Sequence, residues 1–391
     1  MTRRDVVITG IGLVSSLGEG PDAHWAALNN GAKPVVDAAS FAPFPVHPLP
    51  ALSLDAQIPK KGDQRQMEPW QRLGTYAAGL AIDHAGARGL VSDMHLVVAA
   101  GGGERDVAVD EAVTAALTSA APGASGPLLN EKLATELRPT LFLAQLSNLL
   151  AGNISIVHGV TGSSRTLMGE EEAAADAIRI AAARLAEGRG EIALVGGAFA
   201  SQRWDMVLLY APGGVLWQGD YAPISARGDA GGLMLGAMAA FLVLETTEHA
   251  QARGAKALAR IGGIASDAAH QRAGGGSAAA ATALWQGMAG SSAGLGVISG
   301  MTGVAEARVE EEAFLATLGS VPLRRSGSVL GHGVEASFPA NVALAALALS
   351  QNGFYPKMDP ADAGDGAVER ILVTGFGQWR GEALALLEKA P

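Results

Sequence analysis

The chain has 391 residues, 49% hydrophobic and 17% charged, with a net charge of −10 and no cysteine. That length supports a large core built from two folded units or one double unit. The missing cysteines exclude disulfides and thiolate metal sites, and the acidic balance argues against nonspecific nucleic-acid binding. No apolar run is long enough to span a membrane, and no signal-peptide pattern precedes the first strand, so the sequence reads as cytoplasmic without a membrane span.

In chain order, short apolar runs predict strands at Val6–Thr9, Leu96–Ala99, Ile192–Val195, Phe241–Leu244, Val297–Ile298 and Ile371–Val373. Ile154–Val157 is read as a further strand, ending at His158 and feeding a turn and helix. Longer amphipathic stretches predict helices over Met67–Ala85, Leu141–Leu150, Glu170–Glu187, Val304–Leu318 and Phe338–Leu349. Strands separated by helices argue for an α/β fold with parallel sheets. Ala120–Gly126 and Ala273–Ala281 read as flexible loops. Thr246–Gly254 is the expected crossing between halves 1–245 and 246–391, and no sequence repeat is visible.

Gly10-Ile11-Gly12 follows a strand, but Ser15 stands where a dinucleotide fingerprint has its third glycine. Asp37 is the sole acid near the place such a site needs one. The pattern therefore reads as a structural strand–turn, and no cofactor is expected. Gly101-Gly102-Gly103 reads as a tight turn rather than a phosphate cradle. Glu170, Glu171 and Glu172 open a helix, where acids compensate the helix dipole; acid/base chemistry is the other reading. No matching set of ligands points to a metal. His332, in Ser328-Val329-Leu330-Gly331-His332-Gly333, is either structural or functional.

Taken together, the chain resembles the β-ketoacyl-ACP synthase family, of the synthase II type. The resemblance rests on Val6–Gly18, Ile58–Lys61, Ile154–Gly162, Val195–Ala198, Leu242–Glu245, His249–Lys256, Gly331-His332 and Gly375-Phe376-Gly377. It implies a thiolase-like fold, with two similar αβαβα halves forming a five-layer core, and a dimer. In that family a cysteine at a helix N-terminus carries the acyl chain. Ungapped counting from His158-Gly159 puts Glu171 there. The family's first histidine position falls at Gly300, its second histidine is retained as His332, and its lysine falls at Gly327. The Gly-Glu-Gly motif reads Gly236-Ala237-Met238. The C-terminal loop keeps Phe376 and continues Gln378-Trp379-Arg380, so Phe376, Gln378 and Trp379 are expected to line the substrate pocket.

These departures make the chain similar to chain-length factors, non-condensing subunits that pair with an active synthase. The resemblance implies a heterodimer with a cysteine-bearing synthase, in fatty-acid or polyketide synthesis, with a homodimer as the other assembly. It also implies acyl carrier protein as a partner, docked near Lys60, Lys61 and Arg65, with Arg203 as a further candidate. The alternative reading is a stand-alone acyltransferase or malonyl-ACP decarboxylase using Glu171 and His332.

Overall fold

The computed structural model describes residues 3–103, 105–267, 276–288, 290–379 and 381–390. Its strands are β1 (Val6–Ser15), β2 (Gly18–Glu19), β3 (His95–Ala99), β4 (Ser164–Leu167), β5 (Ile192–Phe199) and β6 (Met238–Thr246). They continue with β7 (Ala259–Asp267), β8 (Leu295–Ser299), β9 (Leu323–Arg325), β10 (Arg370–Phe376) and β11 (Glu382–Glu388). They form an 11-stranded sheet system in the order β4-β3-β5-β6-β1-β7-β11-β10-β8-β9, with β2 on β1. The order β4-β3-β5-β6-β1 recurs as β9-β8-β10-β11-β7, so the repeat that the sequence hides is visible in the topology.

The sheets are mixed rather than parallel, which corrects the expectation from strand–helix alternation. β3 is parallel to β4 and β5, and β8 to β9 and β10. β6 and β11 run antiparallel to their neighbours. Only five residues separate β10 from β11, too few for the crossover that a parallel pair needs.

Helices Glu170–Ala186 and Ser337–Ser350 pack on each other and against strands of both halves. Helix Pro69–His84 covers the outer face of the first sheet, and helices Gly276–Gly287 and Ala305–Thr317 cover that of the second. This is the expected five-layer α/β arrangement. Gly10 and Gly12 do structural work here. A Cβ on Gly10 would lie 2.5 Å from the Ala81 carbonyl oxygen, and one on Gly12 would strike that of Ala77. Helix Pro69–His84 thus lies directly on β1, which accounts for the glycines without a dinucleotide. Asp37 instead accepts from the amides of Ala39 and Ser40 at 3.0 and 2.9 Å.

Ile154–His158 is not a strand. It ends a helix, Leu149–His158, closed by Gly159 in the left-handed region at φ 74°. Leu150, Ala151, Ile154 and His158 are buried, whereas Ile156 is 72% exposed. Alternation would put Ile154 and Ile156 on one face, so the burial period is helical. The strand feeding Glu170 is β4. The helix expected over Leu141–Leu150 is broken, with Leu141–Ala144 and Leu149–His158 as separate segments. Helix Ser125–Glu136 takes the end of one expected loop, and Gly276–Ala281 of the other are helical; Ala273–Gly275 lie outside the described residues. Among the described residues no helix is long and apolar enough to cross a membrane.

Gly12→Val should force helix Pro69–His84 off β1. We expect it to lose about 1–3 kcal/mol or more, read as a lower urea midpoint in equilibrium unfolding.

Candidate functional site

Glu171 stands in the first turn of a helix that begins against β4 and is packed on both sides. Gly169 turns the chain at φ 147°, and Glu170 follows at φ 59°, a left-handed conformation unusual for a side chain. Glu171 is buried, and its Oε1 lies 2.8 Å from His332 Nε2. The backbone N–H of Gln378 donates to the same oxygen at 3.3 Å. Burial opposes ionisation of Glu171. The hydrogen bond and charge of His332, with the amides of Glu171 and Gln378, outweigh it and leave the carboxyl below its usual range. Oε2 is buried without a hydrogen-bond partner among the described residues.

His332 comes from the loop before helix Ser337–Ser350. Its backbone is tied to Met234 and Gly236 at 2.8 Å each. Ser337 Oγ lies 3.4 Å from Nδ1 and accepts the Gly333 amide at 2.8 Å. Nε2 is thus held by Glu171, and the ring is not open to an incoming carbonyl oxygen.

A further acid, Glu335, was not singled out from the sequence. It is buried, and follows Val334, which sits at φ 42°. A Cβ on Gly101 would lie 2.5 Å from Glu335 Oε1, so this carboxyl packs over the glycine turn after β3. Burial, reinforced by the charges of Glu171 and Glu170, pushes its pKa up to about 7. Tyr210 is raised by burial and by the same three glutamates. The available signal was a lone acid in an otherwise uncharged run from Gly327 to Ser350, three residues after His332.

Gly300 donates its N–H to the Thr374 carbonyl at 3.1 Å. A Cβ there would stand 2.5 Å from that oxygen and 3.2 Å from Asn341 Nδ2. Gly327 is closed in the same way by the Met301 carbonyl at 2.8 Å. The cavity that His332, Gly300 and Gly327 share holds about 10 Å³, room for about one water.

The other expected residues separate. Phe376 is core, not pocket wall: it packs on Phe314 beneath the outer helices, centroids 6.0 Å apart. Gln378 and Trp379 line a different, open cleft of about 520 Å³ beside Gly213–Val215 and Val304–Glu306. Arg380 lies outside the described residues. Lys60, Lys61 and Arg65 are exposed on and beside helix Lys61–Gln66, with Lys61 paired to Asp55 at 2.5 Å. Arg203 is not displayed with them. Its side chain is 8% exposed, pairs with Asp205 at 2.5 Å and donates to the Gly103 carbonyl. His158 is structural: Nε2 bonds the Thr75 carbonyl at 2.8 Å. Among the described residues no group of acids and histidines is arranged to hold a metal.

Residues 3–250 match the family model of the β-ketoacyl synthase N-terminal domain. The chain is 29% identical over 282 residues to 3-oxoacyl-[acyl-carrier-protein] synthase 2 of Vibrio harveyi, covering 69% of this chain and 65% of that one. It spans just under two thirds of the length of the curated relatives it matches. Among solved structures it superposes on the ishigamide ketosynthase/chain length factor with a TM-score of 0.81 at 21% identity. It also superposes on a type II polyketide ketosynthase in complex with its acyl carrier protein, with a TM-score of 0.77 at 19% identity. Both matches cover 100% of each chain.

The two buried acids have opposite pH signatures. Glu335, raised from 4.5 to about 7, costs stability as pH rises from near 4.5 through about 7. Glu171, lowered, contributes stability above its unfolded value of 4.5 and loses it as pH falls through the folded value. Glu335→Gln should therefore gain on wild type between about pH 5 and 8, by at most about 3 kcal/mol. Glu171→Gln should lose most near neutrality and converge on wild type in acid. Denaturant titrations across pH measure both.

Proposed function

Because the chain belongs to the β-ketoacyl synthase family and yet seals its own site, we propose that it is a non-condensing partner subunit of an active synthase. The Glu171–His332 contact at 2.8 Å carries this reading. A condensing site needs a nucleophile that takes an acyl group and a free donor for the thioester oxygen. Here a carboxylate stands at the helix N-terminus and holds that donor itself. A carboxylate attacking a thioester would also produce a mixed anhydride, a labile and uphill product. Gly300 and Gly327 offer no side chain, and backbone carbonyls fill the space where one would go.

Partnership has support at the edge of the first sheet. β4 is bonded to β3 on one side and ends the strand order on the other. Ile156, on helix Leu149–His158 that packs on β4, and Met168, directly after β4, are 72% and 65% exposed. A strand whose second edge is unpaired among the described residues, with apolar neighbours, is suited to pairing with another chain. The occupant we assign is a cysteine-bearing synthase of the same fold, making fatty-acid or polyketide chains, with product length set partly by this subunit. Acyl carrier protein is the further partner, received by Lys60, Lys61 and Arg65.

Coexpression with a cysteine-bearing synthase from the same organism should give a one-to-one complex by native mass spectrometry. Separate homodimers only, or turnover of malonyl-ACP by this chain alone, would sink the proposal. Glu171→Cys should not start condensation, and Gly300→His should be destabilised by about 1–3 kcal/mol, because its Cβ meets Thr374. Reversing Lys60 and Lys61 to glutamate should slow carrier-protein association at low salt and flatten its salt dependence; stopped-flow rates check this.

A further inference from the structure

Three buried polar atoms stand unpaired around one backbone contact. Glu171 Oε2, Gln378 Nε2 and Gln378 Oε1 each lack a hydrogen-bond partner among the described residues. The contact that joins the two residues is the Gln378 N–H, which donates to Glu171 Oε1 at 3.3 Å. Leaving a buried polar group unpaired is unfavourable, and most of all for a charged one.

Gln378 stands in the turn between β10 and β11. The Gly377 N–H bonds the Gly381 carbonyl at 2.9 Å and closes that turn, so the Gln378 backbone is held where it meets Glu171. The two oxygens of a carboxylate share one carbon. The contact with Oε1 therefore brings Oε2 within reach of the Gln378 side chain. Oε2 of an ionised carboxyl is an acceptor, and Nε2 of an amide is a donor. Gln378 also lines the open cleft beside Trp379. Its side chain thus has an acceptor on the inner side and the cleft on the outer.

We infer that Gln378 is a positioning residue: its side-chain amide turns inward, Nε2–H donates to Glu171 Oε2, and Oε1 is left toward the cleft, where water satisfies it. Glu171 is then clamped on Oε1 by His332 and the Gln378 N–H, and on Oε2 by the Gln378 side chain. Holding both oxygens fixes the plane of the carboxylate and keeps Oε1 on His332 Nε2. The inference rests on the reading of this site as sealed, and names the residue that keeps it so. Its test uses this chain alone, so a missing clamp and a missing synthase partner give different results.

The test is urea denaturation of Gln378→Met from pH 3 to 8, in the otherwise unchanged chain and in a Glu171→Gln background. Methionine keeps the side-chain length and removes the donor. We expect it to raise the unfolding equilibrium constant about tenfold at pH 7, because an ionised carboxylate loses a hydrogen bond. The gap should close as pH falls below 4.5, where Glu171 protonates in the variant before it does in wild type. His332, Glu335, Glu170 and Tyr210 are the other titratable groups whose charges reach the site, and the Glu171→Gln background keeps all four. There the gap should show no such trend. Gln378→Leu, which also lacks the donor, gives the same comparison if Gln378→Met does not fold. The inference is overturned by a gap that does not change with pH, or by the same pH trend in the Glu171→Gln background.

Discussion

The structure depends on a shared central layer in which two helices are covered by a sheet on each side. Helix Glu170–Ala186 buries Ala173, Ala174, Ala175, Ala177 and Ala181; helix Ser337–Ser350 buries nearly every residue, with alanine at Ala340, Ala343, Ala345, Ala346 and Ala348. Small side chains let the two helices and both sheets approach closely. Helix Ser337–Ser350 has no polar face to give to water, whereas helix Glu170–Ala186 keeps Asp176 and Arg179 partly exposed along one side. Buried polar groups stand at the N-terminal end of each.

Those ends meet. The N-terminus that carries Glu170 and Glu171 faces the loop that carries His332 and Glu335, just before the second helix. Helix N-termini favour negative charge, which helps a buried carboxylate persist beside His332. They do not favour three. Glu335, with its raised pKa, fits a neutral acid held near an ionised one, the usual outcome when like charges share a low-dielectric site. Positive φ at Glu170 and Val334 flanks this meeting point on both chains of contact. Backbone strain here is the cost of pointing Glu171 and Glu335 inward.

The surroundings of His332 are closed rather than vacant. Thr374 and Met301 present carbonyls to Gly300 and Gly327, the cavity is water-sized, and the nearest roomy cleft lies beyond Gln378 and Trp379. Chemistry at such a site would first require the Glu171–His332 pair to separate, leaving a buried charge without its partner. What remains outwardly available among the described residues is sheet edge: β4 and β9 end the strand order, and exposed Ile156 and Met168 lie close to β4.

The sequence by itself determined the order of most strands and the long helices over Pro69–His84, Glu170–Ala186, Ala305–Thr317 and Ser337–Ser350. Their apolar spacing is local, and so was legible. It also placed Glu171 at a helix start, kept His332, and showed Gly300 and Gly327 to be bare. Tertiary structure decided what depends on distant partners. Ile154–His158 is helical because its buried positions follow a turn of helix against Pro69–His84, not alternation. The sheets are mixed because β6 and β11 reverse direction. Phe376 belongs to the core because Phe314 stands beside it. Glu335 matters because Gly101, some 230 residues away in sequence, leaves space for its carboxyl. The 2.8 Å contact between Glu171 and His332 spans 161 positions, and only the packing of the two central helices brings those positions together.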